Sequence, residues 1–362
     1  GGFVWGRFWK LGWPWVDNLL SNEWSVPQKG AFLVLLPFDD KVWIRAHEHL
    51  GADEGLYWRN ADVNPWGPHR DFTKAIEKLI HYDRPNAAVQ CLRRSGNKEG
   101  PFDSDLATRA LLAILSSEHP EKEFDRDATV EVITKLQKCP LANLDALFKI
   151  EWNFLFLLGR FSGGAPKTLE NRLASDPAFF CEVISLVFRS KNEDKKDEEP
   201  TKQQQNLAQQ AYRLLSEWRT PPGIQPDGSF DGDSFTAWLA EAKRIATETG
   251  HLGVALKQIG HVLTHVPEDS DGLWIHHTVA EALNAKDAKP MRLGFTTELY
   301  NQRGVHGFSA GREERELARI NREKAEALEA NGYSRFATSM REFAENYERE
   351  AEREASGDFY EQ

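Results

Sequence analysis

The sequence predicts an all-α fold: a degenerate array of helix-turn-helix pairs, an α-solenoid of the TPR or HEAT kind, closed by a charged C-terminal pair of helices. Three observations carry that reading. Apolar residues recur at helical spacing along most of the 362 residues. Clean alternation is nearly absent, and only residues 32–36 read as a short buried strand. Capping and stop residues fall where the apolar stripes begin and end, as helix termini require.

The elements follow in order. Residues 1–66 form a Trp-rich junction holding eight of the 12 tryptophans. Within it Trp5, Trp9, Trp13 and Trp15, with Phe3 and Phe8, are expected to fill a corner of the core; an exposed interface to an upstream part of the protein is the alternative. A Gly-Gly start reads as a cut from a longer chain. Residues 67–190 are expected to be helical repeats, clearest in the pair 71–82 and 85–94 with Asp83-Arg84-Pro85 at the corner. Segments 103–117, 125–138 and 141–158 continue it, the last with Leu141, Leu144, Phe148, Trp152 and Leu155 as its apolar stripe. Asp176 before Pro177 caps the next helix.

Residues 191–205 contain no apolar side chain and read as a solvated charged loop, a soft boundary before a C-terminal helical domain, 206–362. That domain opens with a helix over 206–219, then a Pro-, Gly- and Asp-rich turn cluster over 220–233. Stripes through Phe235, Trp238 and Leu239 and through Leu252, Leu256 and Ile259 follow, with Gly250 as a stop. Residues 312–358 read as two long charged helices hinged at Asn331-Gly332, with Glu345 placed to pair with Arg349.

Composition excludes several classes. A formal charge of −11 argues against a phosphate backbone as the main partner, which would need a surplus of Lys and Arg. The longest apolar run, 31–37, is far short of a bilayer span, so no membrane partner is expected. Three cysteines (Cys91, Cys139, Cys181) without motif spacing form neither a disulfide framework nor a zinc ribbon, which predicts a reduced, cytoplasmic protein.

The chemical motifs fail on inspection. Residues 307–311 match G-x-S-x-G around Ser309, but no strand precedes them and the last histidine of the chain is His306. Asp227, Ser229, Asp231 and Gly232 resemble the front of a calcium loop, whose required final Glu is replaced by Trp238. An Asp-Gly turn, with Asp233 or Ser234 capping the next helix, is the better reading. His261 and His265 share a helix face but lack the intervening Glu of a zinc motif, and His47/His49 and His276-His277 stand isolated. Residues 162–168 only faintly resemble a phosphate loop. No catalytic residue, metal or cofactor is therefore expected. The polar cluster Asn301, Arg303, Arg312 and Arg315 is the candidate contact set for a protein partner, with helix capping and surface ion pairs as the alternative.

Glu151-Trp152, Asp176-Pro177, Phe179-Phe180, Leu214-Leu215 with Trp218, Ile259-Gly260, Gly272-Leu273-Trp274, Arg303-Gly304-Val305 and the Gly311-to-Arg315 run resemble the C-terminal helical-repeat region of very large, mostly uncharacterised bacterial proteins. The corner at Arg84-Pro85 and Ala87-Ala88 fits the repeats just before it. Some of those proteins are similar to STAND-type anti-phage defence proteins, with an effector, a nucleotide switch and a repeat sensor. The resemblance implies a recognition or autoinhibition segment and no catalytic residues; any ATPase would lie outside the chain. The expectation is thus a non-enzymatic sensor or scaffold. The alternatives are a helical enzyme built from distant residues, such as Ser309 or the His261/His265 pair, and a module of a homo-oligomer.

Overall fold

A computed structural model describes residues 2–66, 71–95, 102–119, 124–159, 163–192, 201–304 and 309–356. The chain is all-helical, 71% helix, with no strand among the described residues. It divides into two compact units, Gly1–Thr168 and Leu169–Gln362. No described helix is long and apolar enough to cross a membrane.

The first unit opens with α1 (Gly2–Leu20), α2 (Val26–Leu33), α3 (Asp40–Leu50) and the single turn α4 (Gly55–Trp58). The expected strand at 32–36 is instead the end of α2 and a following turn. Its N–H groups bond backwards, Val34 to Gly30 and Leu36 to Leu33, and no neighbouring strand offers a ladder. In α1, Phe8, Val16 and Leu20 are buried, and Trp13 and Trp15 pack part-buried against the core. Phe3, Trp5 and Trp9 are exposed, against the expected core corner. A four-residue spacing from Trp9 to Trp13 defines one face only on an unbroken helix. Gly12, at φ 66°, ψ −161°, breaks the phase just ahead of Pro14.

The five helices α5 (Thr73–His81), α6 (Pro85–Arg94), α7 (Ser104–Ser116), α8 (Arg126–Gln137) and α9 (Leu144–Asn153) each pack on the next and, up to α7, on the next but one. The starts of α7, α8 and α9 are written in side chains: Asp103, Asp125 and Asn143 each accept a backbone N–H of the first turn. At the corner before α6, Arg84 turns inward and donates to the carbonyls of Trp58 and Ala61, at 3.1 and 2.6 Å. The segment 141–158 differs from expectation. α9 stops at Asn153, a 3₁₀ turn takes Leu155–Leu157, and Leu141 and Leu144 lie 86% and 69% exposed. The buried face is Leu147, Ile150, Glu151 and Phe154. Glu151 decides the rotation: its carboxylate is fully buried, accepting from Gln137 at 2.8 Å and from the Thr168 N–H at 3.1 Å.

The second unit takes in α10 (Lys167–Ser175), α11 (Pro177–Val187), α12 (Lys202–Glu217), α13 (Gly232–Glu248), α14 (Leu252–Val262), α15 (His277–Asn284), α16 (Lys289–Gln302), α17 (Arg312–Ala330) and α18 (Ser334–Ser356). α12 begins inside the expected loop, because Thr201 and Gln204 form a capping box; residues 193–200 of that loop lie outside the described residues. Phe180, Trp218 and Trp238 make one aromatic core cluster, and Trp274, Phe295 and Phe336 another. α14 and α16 cross at Gly260 and Gly294, where each helix rests on the backbone of the other. α17 and α18 form the expected hairpin about Asn331-Gly332, with Gly332 at φ 84°. Arg349 bonds Asn346, not Glu345 as expected.

Each unit holds one buried thiol. Cys91 in α6 is fully buried and its pKa lies far above the usual thiol range; Cys181 in α11, 5% exposed, is pushed by burial to about 11.

Candidate functional site

An open groove of about 420 Å³ lies between α16 and α18. Leu293, Thr296, Thr297 and Tyr300 line it from α16; Phe343, Asn346, Tyr347, Arg349, Glu350 and Arg353 line it from α18. Residues spaced by three and four on α18 share a face, which brings Asn346, Arg349, Glu350 and Arg353 to one wall. The floor is aromatic. Tyr300 and Tyr347 stack at 6.0 Å, and Phe343 meets Tyr347 edge-on at 4.9 Å. Burial pushes the Tyr347 phenol up to about 12, so it stays protonated at neutral pH. The Tyr300 hydroxyl donates to Glu350 at 3.1 Å. Arg349 and Arg353 flank this floor, and neither has a carboxylate within ion-pair distance among the described residues.

Behind the groove stands a buried polar knot. Arg303 is ion-paired to Glu314 and reaches Glu350 at 3.4 Å, with its guanidinium 5.5 Å from the Tyr347 ring centre. Burial would raise the Glu314 pKa, but its own N–H, Arg303 and Ser309 outweigh that and hold the carboxyl down at about 2. The Ser309 hydroxyl lies between Glu314 and Glu354, at 2.9 and 3.0 Å, and accepts the Glu313 N–H at 3.1 Å. It closes the first turn of α17, and its partners among the described residues are Glu313, Glu314 and Glu354. Residues 307–308 of the G-x-S-x-G match lie outside the described residues.

Of the four expected contact residues, three are exposed and Arg303 is turned inward. Arg303 is spent inward on Glu314. Asn301 is exposed and reaches Glu298 at 3.4 Å, while Arg312 and Arg315 stand exposed on α17. The groove's own cations, Arg349 and Arg353, were missed because one was assigned to Glu345 and because α16 and α18 are far apart in sequence. The only available signal was Asn346, Arg349 and Arg353 at helical spacing beside Phe343 and Tyr347.

The metal candidates resolve into local structure. Asp227 accepts from Ser229, and Asp231 caps α13 through the Asp233 and Ser234 N–H groups, so Asp231, not Asp233 or Ser234, is the cap. His261 is half-buried in α14, its pKa lowered by desolvation, and His265 follows in a 3₁₀ turn. Among the described residues, Asp269, Asp271 and His277 bring ligand atoms within 4.8 Å of one another, the one set that converges to metal-binding distance. There His277 is held by Asp271 at 2.6 Å and by the Tyr333 hydroxyl at 2.8 Å, and the Asp271 carboxylate raises its pKa. Through its Tyr333 hydrogen bond, His277 ties the start of α15 to the α17–α18 turn.

No protein-family model, curated protein or solved structure matches the chain.

Proposed function

We propose that the chain is a non-enzymatic recognition module, a sensor or scaffold of helical-repeat type. Its α16–α18 groove takes an acidic segment of a protein partner. The observation that carries this is the pairing of two exposed guanidiniums, Arg349 and Arg353, which have no carboxylate within ion-pair distance among the described residues, with a stacked tyrosine floor. Arginine forks match carboxylates in geometry as well as in charge, and the floor offers an aromatic or aliphatic side chain an apolar seat. The successive packing of α5 to α9 supports the repeat-array part of the reading. The resemblance to sensor regions of large bacterial defence proteins supports a place in a larger cytoplasmic assembly.

Peptide display against the intact chain tests the groove. The wild type is expected to enrich acidic peptides containing an aromatic residue, and R349E/R353E to lose that enrichment at least tenfold, since two charge-assisted contacts are worth about 1.5–3 kcal/mol each. Equal enrichment by both proteins, or none by the wild type, would overturn the assignment. Both side chains lie on the groove rim, so the double variant is expected to keep the wild-type circular dichroism.

A further inference from the structure

The first half of α1 points to a second binding surface, in the other unit. Phe3 and Trp9 are 74% and 73% exposed, and Trp5 and Leu11 are 41% exposed each, within three turns of one helix. Such a concentration of large apolar side chains is rare on a soluble protein surface and marks an interaction site. Trp5 and Trp9 stand one turn apart with ring centres at 6.2 Å, and the Arg7 guanidinium lies 5.5 Å from the Phe3 ring. The same stretch is free of acid through Val16 yet carries Arg7 and Lys10, in a chain whose net charge is −11.

We propose that the first half of α1 is an interfacial helix that docks this unit on a bilayer surface bearing anionic lipid. Tryptophan prefers the headgroup region because its ring is apolar and its N–H still reaches water. Arg7 lies over the Phe3 ring, and it and the exposed Lys10 offer their charges to lipid phosphates. The expectation of no membrane partner came from the lack of a spanning run; lying in the interface needs only a short amphipathic helix with aromatic and basic residues. The kink at Gly12 divides the helix. Before it Phe8 is buried and Val4 packs on the core, while Phe3, Trp5 and Trp9 stay exposed; beyond it Val16 and Leu20 are buried and Asp17 is paired with Arg45 at 2.7 Å. The charge pattern also chooses among occupants. Arg7 and Lys10, with no acid among residues 1–16, complement an anionic surface.

Flotation of the full chain with vesicles tests this, using phosphatidylserine in phosphatidylcholine against phosphatidylcholine alone. The wild type is expected to float with the anionic vesicles. W5A/W9A is expected to lose tenfold or more of that partitioning, because each exposed ring contributes buried apolar area. R7Q/K10Q is expected to lose roughly thirtyfold, at about 1 kcal/mol per basic residue near such a surface. All four positions are solvent-facing, so unchanged thermal unfolding of the variants confirms that the fold is intact. A wild type that stays at the bottom with both vesicle types overturns the proposal, as does W5A/W9A floating like the wild type. A dimer seen by light scattering that W5A/W9A dissolves, without flotation, assigns the surface to a second copy instead.

Discussion

Gly260→Ala is expected to destabilise the second unit by about 3 kcal/mol, at the upper end of what an overpacked core costs. Gly294→Ala should do the same. At the crossing of α14 and α16, a β-carbon on Gly260 would overlap the Met291 carbonyl oxygen, and one on Gly294 would overlap that of Lys257. The obstacle in both cases is backbone, which cannot rotate away as a side chain does. The helices must separate, and separation opens voids around Ile259 and Phe295, both about 1% exposed. For a unit of this size the loss corresponds to a melting shift of roughly 6–12 °C. Gly253→Ala, on the same α14, is the control: its new methyl would meet only the Lys191 ammonium at 3.7 Å. That change should be neutral or raise stability by up to about 1 kcal/mol through the unfolded chain. Equal melting temperatures for G260A and G253A would refute the close crossing.

Arg303→Met should cost about 3–5 kcal/mol, the usual penalty for leaving one member of a buried ion pair alone. Both side chains are nearly inaccessible, 8% exposed for Arg303 and 3% for Glu314. R303M/E314L should recover much of the loss, because the uncompensated charge goes with its partner. The pair also writes a pH dependence. The Glu314 pKa is lowered in the folded state from 4.5 to about 2, so its contribution is whole above about pH 4.5 and disappears as the pH falls toward 2. Stability measured against pH should be flatter across that window in R303M/E314L. A single variant as stable as wild type at neutral pH would remove Arg303 from this structural role.

The helices were legible because their ends are marked by short-range chemistry. Asp103, Asp125 and Asp176 accept N–H groups two or three residues on, and Gly332 adopts the left-handed turn after Asn331. Nothing beyond a few neighbours enters those decisions. Faces were less secure. Leu141, Leu144 and Phe148 have the spacing of a buried stripe, yet a buried Glu151 held by Gln137 and Thr168 sets the rotation of α9. That partnership spans segments, and local periodicity carries no trace of it. The same holds for the groove: Tyr300 and Tyr347 meet only because α16 and α18 pack. Arg303 was singled out from the sequence, but its surroundings turn it inward, and its neighbours Arg349 and Arg353 inherit the outward role.

The two hidden thiols give the chain a built-in clock for each half. Alkylation needs a solvated thiolate, and neither Cys91 nor Cys181 can supply one until its own helix opens. Cys139, less buried and in the first unit, marks the unprotected rate. In mild denaturant the two protected cysteines should label with separate time courses if the units unfold independently, and with one shared course if they unfold together. Peptide mapping after timed labelling reads both from one sample. With G260A the Cys181 course should accelerate, since α11 packs directly on α14. Whether Cys91 follows would measure how much cooperativity passes along the chain from one half to the other.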